Sequence, residues 1–137
     1  MDKIFIDTDV LLDHLLDRKP FSDHSSLLLS LGELKQIKLY SSVLVFANCY
    51  YILRKYASHQ KVIHSLTSLS GIIDFIDMGR NEVVEALHSS FGDFEDALQN
   101  AAATKGGIVR LVTRNIKDYR SSELSVITPE EYLATRR

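Results

Sequence analysis

Apolar and polar positions alternate along the chain in two periods, short apolar runs and longer stretches with helical spacing. Ile4-Phe5-Ile6 is short, apolar and rich in β-branched residues, the pattern of a buried strand. From Thr8 to Arg18, Leu11, Leu12, Leu15 and Leu16 fall on one helical face, with Asp7 or Thr8 as the cap. Pro20 ends that unit. Ser22 to Gln36 predicts a second amphipathic helix capped by Ser22 or Asp23, and Lys38-Leu39-Tyr40 a short strand. A third helix, about Val43 to Tyr56, is capped by Ser41 or Ser42 and is apolar nearly all round, as buried helices are. Gln60 to Leu69 predicts a helix, Ile72 to Ile76 a strand, and Asn81 to Ser89 a helix. After a loop at Gly92, Asp93 to Lys105 carries Phe94, Ala97, Leu98, Ala101 and Ala102 at helical spacing, and Gly106-Gly107 stops it. Ile108 to Thr113 and Glu123 to Ile127 read as strands, and Pro129 begins a terminal helix to Arg137.

Strands alternating with helices predict an α/β fold in three layers, α/β/α, around a central parallel sheet of four to five strands. No repeat, low-complexity tract or linker divides the chain, so residues 1–137 are expected to form one domain.

Composition removes several classes. A net charge of -2 argues against a protein that grips long nucleic acid by bulk electrostatics, and against a dedicated sequence-specific DNA reader. It leaves room for an enzyme that touches RNA through a local patch. The one cysteine, Cys49, allows no intrachain disulfide framework. No apolar run is long enough to span a membrane, and Met1-Asp2-Lys3-Ile4 shows no signal-peptide architecture. A cytoplasmic protein with no membrane partner is the expectation.

Three polar clusters fall where strands end or helices begin. They are Asp7 with Asp9, Asp93 with Asp96 one helical turn apart, and Thr113-Arg114-Asn115 with Asp118. In a parallel sheet, strand ends of one polarity share a rim, so the first and third clusters should converge there, with Asp96 in reach. Carboxylates crowded together repel unless a cation joins them, and oxygen-only ligands suit Mg²⁺ or Mn²⁺. One cysteine and five scattered histidines give no zinc-ligand spacing. Thr8 and Thr113 could position acids or a phosphate, and Arg114 could pair with a phosphate oxygen.

The chain resembles the PIN-domain family over nearly its whole length. The resemblance is carried by Phe5-Ile6-Asp7-Thr8-Asp9-Val10-Leu11-Leu12-Asp13, by Ser41 to Leu53, by Asp93-Phe94-Glu95-Asp96-Ala97-Leu98, and by Thr113-Arg114-Asn115-Ile116-Lys117-Asp118-Tyr119. It implies a metal-dependent ribonuclease fold. Many bacterial members are toxins of toxin–antitoxin pairs, so it also implies an RNA substrate, an antitoxin partner and a homodimer. The family's first acid falls on Asp7, its third on Asp96 and its fourth on Asn115 or Asp118. Its second, a glutamate on the third helix, falls on Asn48, which keeps an oxygen but loses a charge, and should weaken metal affinity. The resulting assignment takes Asp7, Asp96 and Asp118 as catalytic. Asp7, Asp96, Asp93 and Asn115 are the metal ligands, and Thr8, Asn48, Thr113 and Arg114 support them.

Plainer roles are expected of the remaining polar and aromatic residues. Asp9 and Asp13 read as solvated helix faces, Asp93 as a cap, and Asp118 as a cap or turn residue. Tyr50 and Tyr51 read as core, Arg54-Lys55 as a complement to a helix dipole, and Cys49 as an inert buried thiol. His14, His24, His59, His64 and His88 show no pattern beyond a surface. Two other functions compete with nuclease chemistry. One is a PIN-fold module that binds RNA or a partner protein without cutting. The other is a haloacid-dehalogenase-type phosphatase, whose opening pattern Asp7-Thr8-Asp9-Val10 matches. That family's later lysine and paired aspartates do not follow Thr113 in the right order.

Overall fold

A computed structural model describes residues 1–136; Arg137, the expected end of the last helix, lies outside the described residues. Five strands form one sheet in the order β3-β2-β1-β4-β5. They are β1 (Lys3–Ile6), β2 (Lys38–Ser42), β3 (Ile73–Ile76), β4 (Arg110–Val112) and β5 (Ser125–Ile127), and every neighbouring pair is parallel. Among the described residues seven α-helices cover the sheet: α1 (Thr8–Leu15), α2 (Ser22–Glu33), α3 (Val43–Leu53), α4 (His59–Ser70), α5 (Arg80–Leu87), α6 (Phe94–Lys105) and α7 (Pro129–Ala134). This is the three-layer α/β/α arrangement that the alternation of periods predicts.

Alternate residues of the central strand feed opposite cores, because side chains along a strand point to opposite faces. Ile4 and Ile6 are fully buried among Val10, Leu11, Leu28, Val45 and Val62, on the side of α1 to α4. Phe5 is fully buried among Ala102, Ala103, Ile108 and Leu111, on the side of α6. The chain leaves β1 toward β2 and β3 on one flank, then returns to lay β4 and β5 on the other. The strand order therefore reverses beside β1, and a crevice opens at the carboxyl ends of β1 and β4, where open α/β sheets bind ligands. Ile6 pairs with Val112 there, and the Asp7 N–H donates to the Val112 carbonyl at 3.1 Å.

Several helices end sooner than their periodicity predicts, and for α1 and α2 the cause is backbone geometry. After α1, Asp17 takes a left-handed φ of 50°, and Arg18 N–H closes onto the Asp13 carbonyl at 2.9 Å. After α2, Lys35 takes a φ of 60°, and Gln36 N–H closes onto the Leu31 carbonyl at 3.0 Å. Both are Schellman terminations without the glycine that normally announces one. After α6 the same motif carries its glycine, with Gly107 at φ 71° and Ile108 N–H on the Ala103 carbonyl at 3.0 Å.

The third helix corrects a second expectation. It is not buried all round: only Val45, Cys49 and Leu53, one line along the helix, are buried, while Val43 and Tyr51 are 68% and 71% exposed. Apolar content set that expectation, but the neighbours of α3 leave Val43 and Tyr51 uncovered, and Tyr51 lines the crevice.

Candidate active site

The crevice is a cleft of about 460 Å³ whose lining includes Asp7, Asp9, Asn48, Glu95, Asp96 and Asp118. Thr8, Arg18, Tyr51, Gln99 and Asn115 complete its polar lining. The lining comes from the start of α1, from α3, from the first turns of α6 and from the segment after β4, and each placement has a local cause. Asp7 is the N-cap of α1 as well as the acid at the end of β1, with Oδ1 accepting from Thr8 N–H at 2.8 Å. Its other oxygen, Oδ2, accepts from the Tyr119 hydroxyl at 3.0 Å and lies 3.1 Å from the Thr113 hydroxyl. Thr113 follows β4, and Tyr119 closes a short 3-10 helix, Ile116–Tyr119, that also carries Asp118.

Asp9 belongs to this cluster, contrary to its expected place on a solvated face. Its Oδ2 accepts from Arg114 N–H at 3.0 Å and from Asn115 Nδ2 at 3.0 Å, and lies 3.3 Å from the Thr113 hydroxyl. That hydroxyl carries one proton, so Asp7 and Asp9 compete for a single donor. Burial, then the charge of Asp7, pushes Asp9 up to about 7. Burial also raises Asp7, against the hydrogen bonds that lower it. Asp96 is pushed up to about 7 by burial and by the charges of Asp7, Asp93 and Asp118. The acids on several walls of the cleft thus feel one another.

Asp13 is the second correction. It is 1% exposed, and it accepts a forked pair of bonds from Arg114, Nε at 2.8 Å and Nη2 at 3.0 Å, with Arg18 at 3.6 Å. The Arg114 guanidinium also lies over the Phe21 ring at 4.1 Å. Arg114 is therefore turned away from any phosphate in the cleft. Its backbone serves the site, because its N–H fixes Asp9. The consequence is electrostatic: Arg114 is spent on Asp13, Arg18 is shared with it, and no ion pair forms on Asp7, Asp9, Asp96 or Asp118 among the described residues.

Asp93 caps α6, accepting from Asp96 N–H at 3.0 Å, which sets Asp96 at the head of the helix facing the cleft. Asn48 is half-buried on α3 and donates through Nδ2 to Glu95 Oε2 at 3.1 Å. Glu95 restores at this wall the charge that Asn48 lacks. Sequence reading did not single it out, nor Tyr119 or Gln99. Gln99 is 1% exposed and accepts from the α3 cap Ser42 at 2.6 Å, which ties α6 to the start of α3. Only the helical register of Glu95, Asp96 and Gln99 hinted at a shared edge. Nothing in the sequence links Tyr119 to Asp7, 112 positions away. Cys49 is buried, and burial pushes its thiol up to about 12, as an inert core residue requires.

Among the described residues, no three His, Cys, Asp or Glu side chains stand close enough to hold one ion by themselves. The donor set is all oxygen and carries excess negative charge. That does not suit a closed protein cage, but it does suit Mg²⁺ or Mn²⁺. Mg²⁺ usually keeps several waters and takes one or two carboxylates plus substrate phosphate.

A family model described as PIN domain matches residues 3–117. No curated protein matches the chain. Several solved structures share its fold. VapBC2 from Rickettsia felis, bound to a DNA fragment from their promoter, is 19% identical with a TM-score of 0.68, covering 90% of this chain and 96% of that one. A toxin-antitoxin complex from Klebsiella pneumoniae is 22% identical, with a TM-score of 0.67 and coverage of 92% and 97%. VapC20 from Mycobacterium tuberculosis, a sarcin-ricin loop cleaving toxin, is 16% identical, with a TM-score of 0.62 and coverage of 79% and 86%.

Proposed function

Because the chain belongs to the PIN-domain family, we propose that it is a metal-dependent endoribonuclease that hydrolyses RNA phosphodiesters, acting as the toxin of a toxin–antitoxin pair. The observation that carries this reading is the uncompensated charge of the cleft. Asp7, Asp96 and Asp118 face one space, while the nearby arginines Arg114 and Arg18 serve the buried Asp13. Like charges crowded into one cleft repel unless a cation joins them, and the cation that lines this cleft, Arg18, is paired with Asp13.

Asp7 and Asp96 would hold Mg²⁺ or Mn²⁺ together with water and a substrate phosphate, with Asp118, Asn115 and Asp93 as further oxygen donors around them. A divalent cation there supplies Lewis-acid stabilisation of charge on the phosphodiester and acidifies water beside it. The chain's own residues orient the acids. Thr8 N–H, Tyr119 and Thr113 fix the plane of the Asp7 carboxylate. Arg114 N–H and Asn115 fix Asp9 beside it. The Asp93 cap fixes Asp96, and Glu95 keeps a charge at the Asn48 wall. An antitoxin chain, a homodimer and a cytoplasmic setting belong to the same proposal. Among the described residues no helix is long and apolar enough to cross a membrane.

The test is RNA cleavage with Mg²⁺ or Mn²⁺, absent in EDTA and lost in Asp7→Asn and in Asp96→Asn. Cleavage that survives both substitutions refutes the proposal. A second reading, a PIN fold that binds without cutting, is favoured by one observation: Asn48 stands in the cleft with its amide committed to Glu95. RNA binding with no turnover at high Mn²⁺ selects that reading.

A further inference from the structure

The α3 wall of the cleft carries no charge of its own: Asn48, Tyr51 and Ile52 line it. A carboxylate reaches that wall from another helix. Glu95, in the first turn of α6, lines the same cleft, and its Oε2 accepts from Asn48 Nδ2 at 3.1 Å. Glu95 is exposed, and an exposed glutamate ordinarily samples many rotamers in water, because pinning it costs entropy. Here it is pinned by a half-buried amide 47 positions away in the chain.

The fold does not depend on that bond. The start of α3 is already tied to α6 by the buried Ser42–Gln99 bond at 2.6 Å, and Leu44 packs against the cluster of Ala97 and Leu98. The bond instead repeats what the other acids of the cleft show. Asp7 is aimed by Tyr119 and Asp9 by Asn115, each a donor brought from across the fold. Asn48 and Glu95 are matched in the same sense. A carboxylate offers only acceptors, and an amide NH₂ donates. A second carboxylate at position 48 would repel Glu95 and offer it no proton. The pair thus sets one negative charge where the α3 wall meets the head of α6.

We propose that Glu95 is a working acid of this cleft, acting on the divalent cation through the waters the cation keeps, and that Asn48 is its positioning residue. The assignment rests on the metal-dependent reading and adds to it a carboxylate supplied by α6, whereas the family's second acid falls on α3. Direct ligation is not required. No three acid side chains enclose one ion among the described residues, and Mg²⁺ usually keeps several waters. A carboxylate held beside that hydration shell orients its waters, as the outer partners of metal sites do.

The experiment titrates Mn²⁺ into the full chain by calorimetry, with urea unfolding in EDTA as the measure of folding. Glu95→Gln keeps the side-chain length and an acceptor oxygen for the Asn48 amide but removes the charge. It should weaken Mn²⁺ binding by about 10- to 100-fold and leave the urea midpoint unchanged. Glu95→Asp keeps the charge but withdraws the carboxylate by one methylene. Asn48→Leu keeps every charge but removes the donor. Each of these should also weaken Mn²⁺ binding, by about 10-fold. Full Mn²⁺ affinity in any of the three variants overturns the assignment. In Glu95→Gln it would make the pair a tie between helices, and in Glu95→Asp or Asn48→Leu it would make Glu95 background charge without a fixed place. If Asp7→Asn still abolishes Mn²⁺ binding in those cases, the metal-dependent reading survives the loss of Glu95. An unaltered chain that binds no Mn²⁺ overturns both.

Discussion

Replacing Arg114 by methionine tests how the site is braced. Methionine keeps much of the apolar stem and removes the fork. Asp13 is 1% exposed and would lose two charge-assisted bonds, at 2.8 and 3.0 Å. Breaking a buried pair by removing one partner costs about 3–5 kcal/mol, because the other charge stays buried. Arg18 remains 3.6 Å away and offsets part of that, which sets the expectation at the low end, about 3 kcal/mol. For 137 residues the unfolding entropy near the midpoint corresponds to a Tm drop of about 10 °C for that loss. Urea unfolding should show a lower midpoint with an unchanged m-value. The double variant Asp13→Leu with Arg114→Met should recover most of the loss, because no buried charge is then left unpaired. A loss of less than about 1 kcal/mol in the single variant, the value of an exposed ion pair, refutes the buried bracing. So does a double variant no more stable than the single one.

Other consequences follow from the same geometry. In EDTA, stability should fall as pH rises from about 4 to about 7. Asp9 and Asp96 titrate near 7 when folded and near 3.8 when unfolded, so the native state keeps protons that the unfolded chain has released. A Tm that climbs over that interval contradicts the assignment. Mn²⁺ at a hundred times its dissociation constant should stabilise the chain by about 2.7 kcal/mol, read as a Tm rise that Asp7→Asn abolishes; equal rises in both proteins argue against the site. Tyr119→Phe keeps the ring against Phe91 but removes a donor to Asp7, at a cost of about 1.5–3 kcal/mol in urea unfolding, and an unchanged midpoint denies the bond. Lys35→Gly should stabilise by about 0.5–1 kcal/mol, since the left-handed backbone at that exposed position favours glycine; destabilisation refutes that account.

Much of the fold is legible in the sequence because periodicity is local. The apolar strand Ile4–Ile6, the alternation of strands with amphipathic helices, and the caps Asp7, Ser42 and Asp93 depend on residues within a few positions of one another. So does the expectation that polar clusters after β1 and β4 share a rim, once all strands run one way. Helix ends were less legible. Asp17 and Lys35 adopt left-handed backbone without glycine, and the tertiary packing that rewards this leaves no mark on neighbouring residues.

Which charges meet was decided only in three dimensions. Asp13 and Arg114 are 101 positions apart, and their pairing comes from β4 lying beside β1. That pairing takes a cation that sequence alone would offer to a phosphate, and it hides an aspartate that helical spacing would place in water. The same strand order brings Tyr119 to Asp7 and sets Glu95 against Asn48. Residue types and local spacing determined the inventory of acids. The sheet's reversal beside β1 determined which acids are neutralised within the protein and which are left facing the cleft in want of a cation.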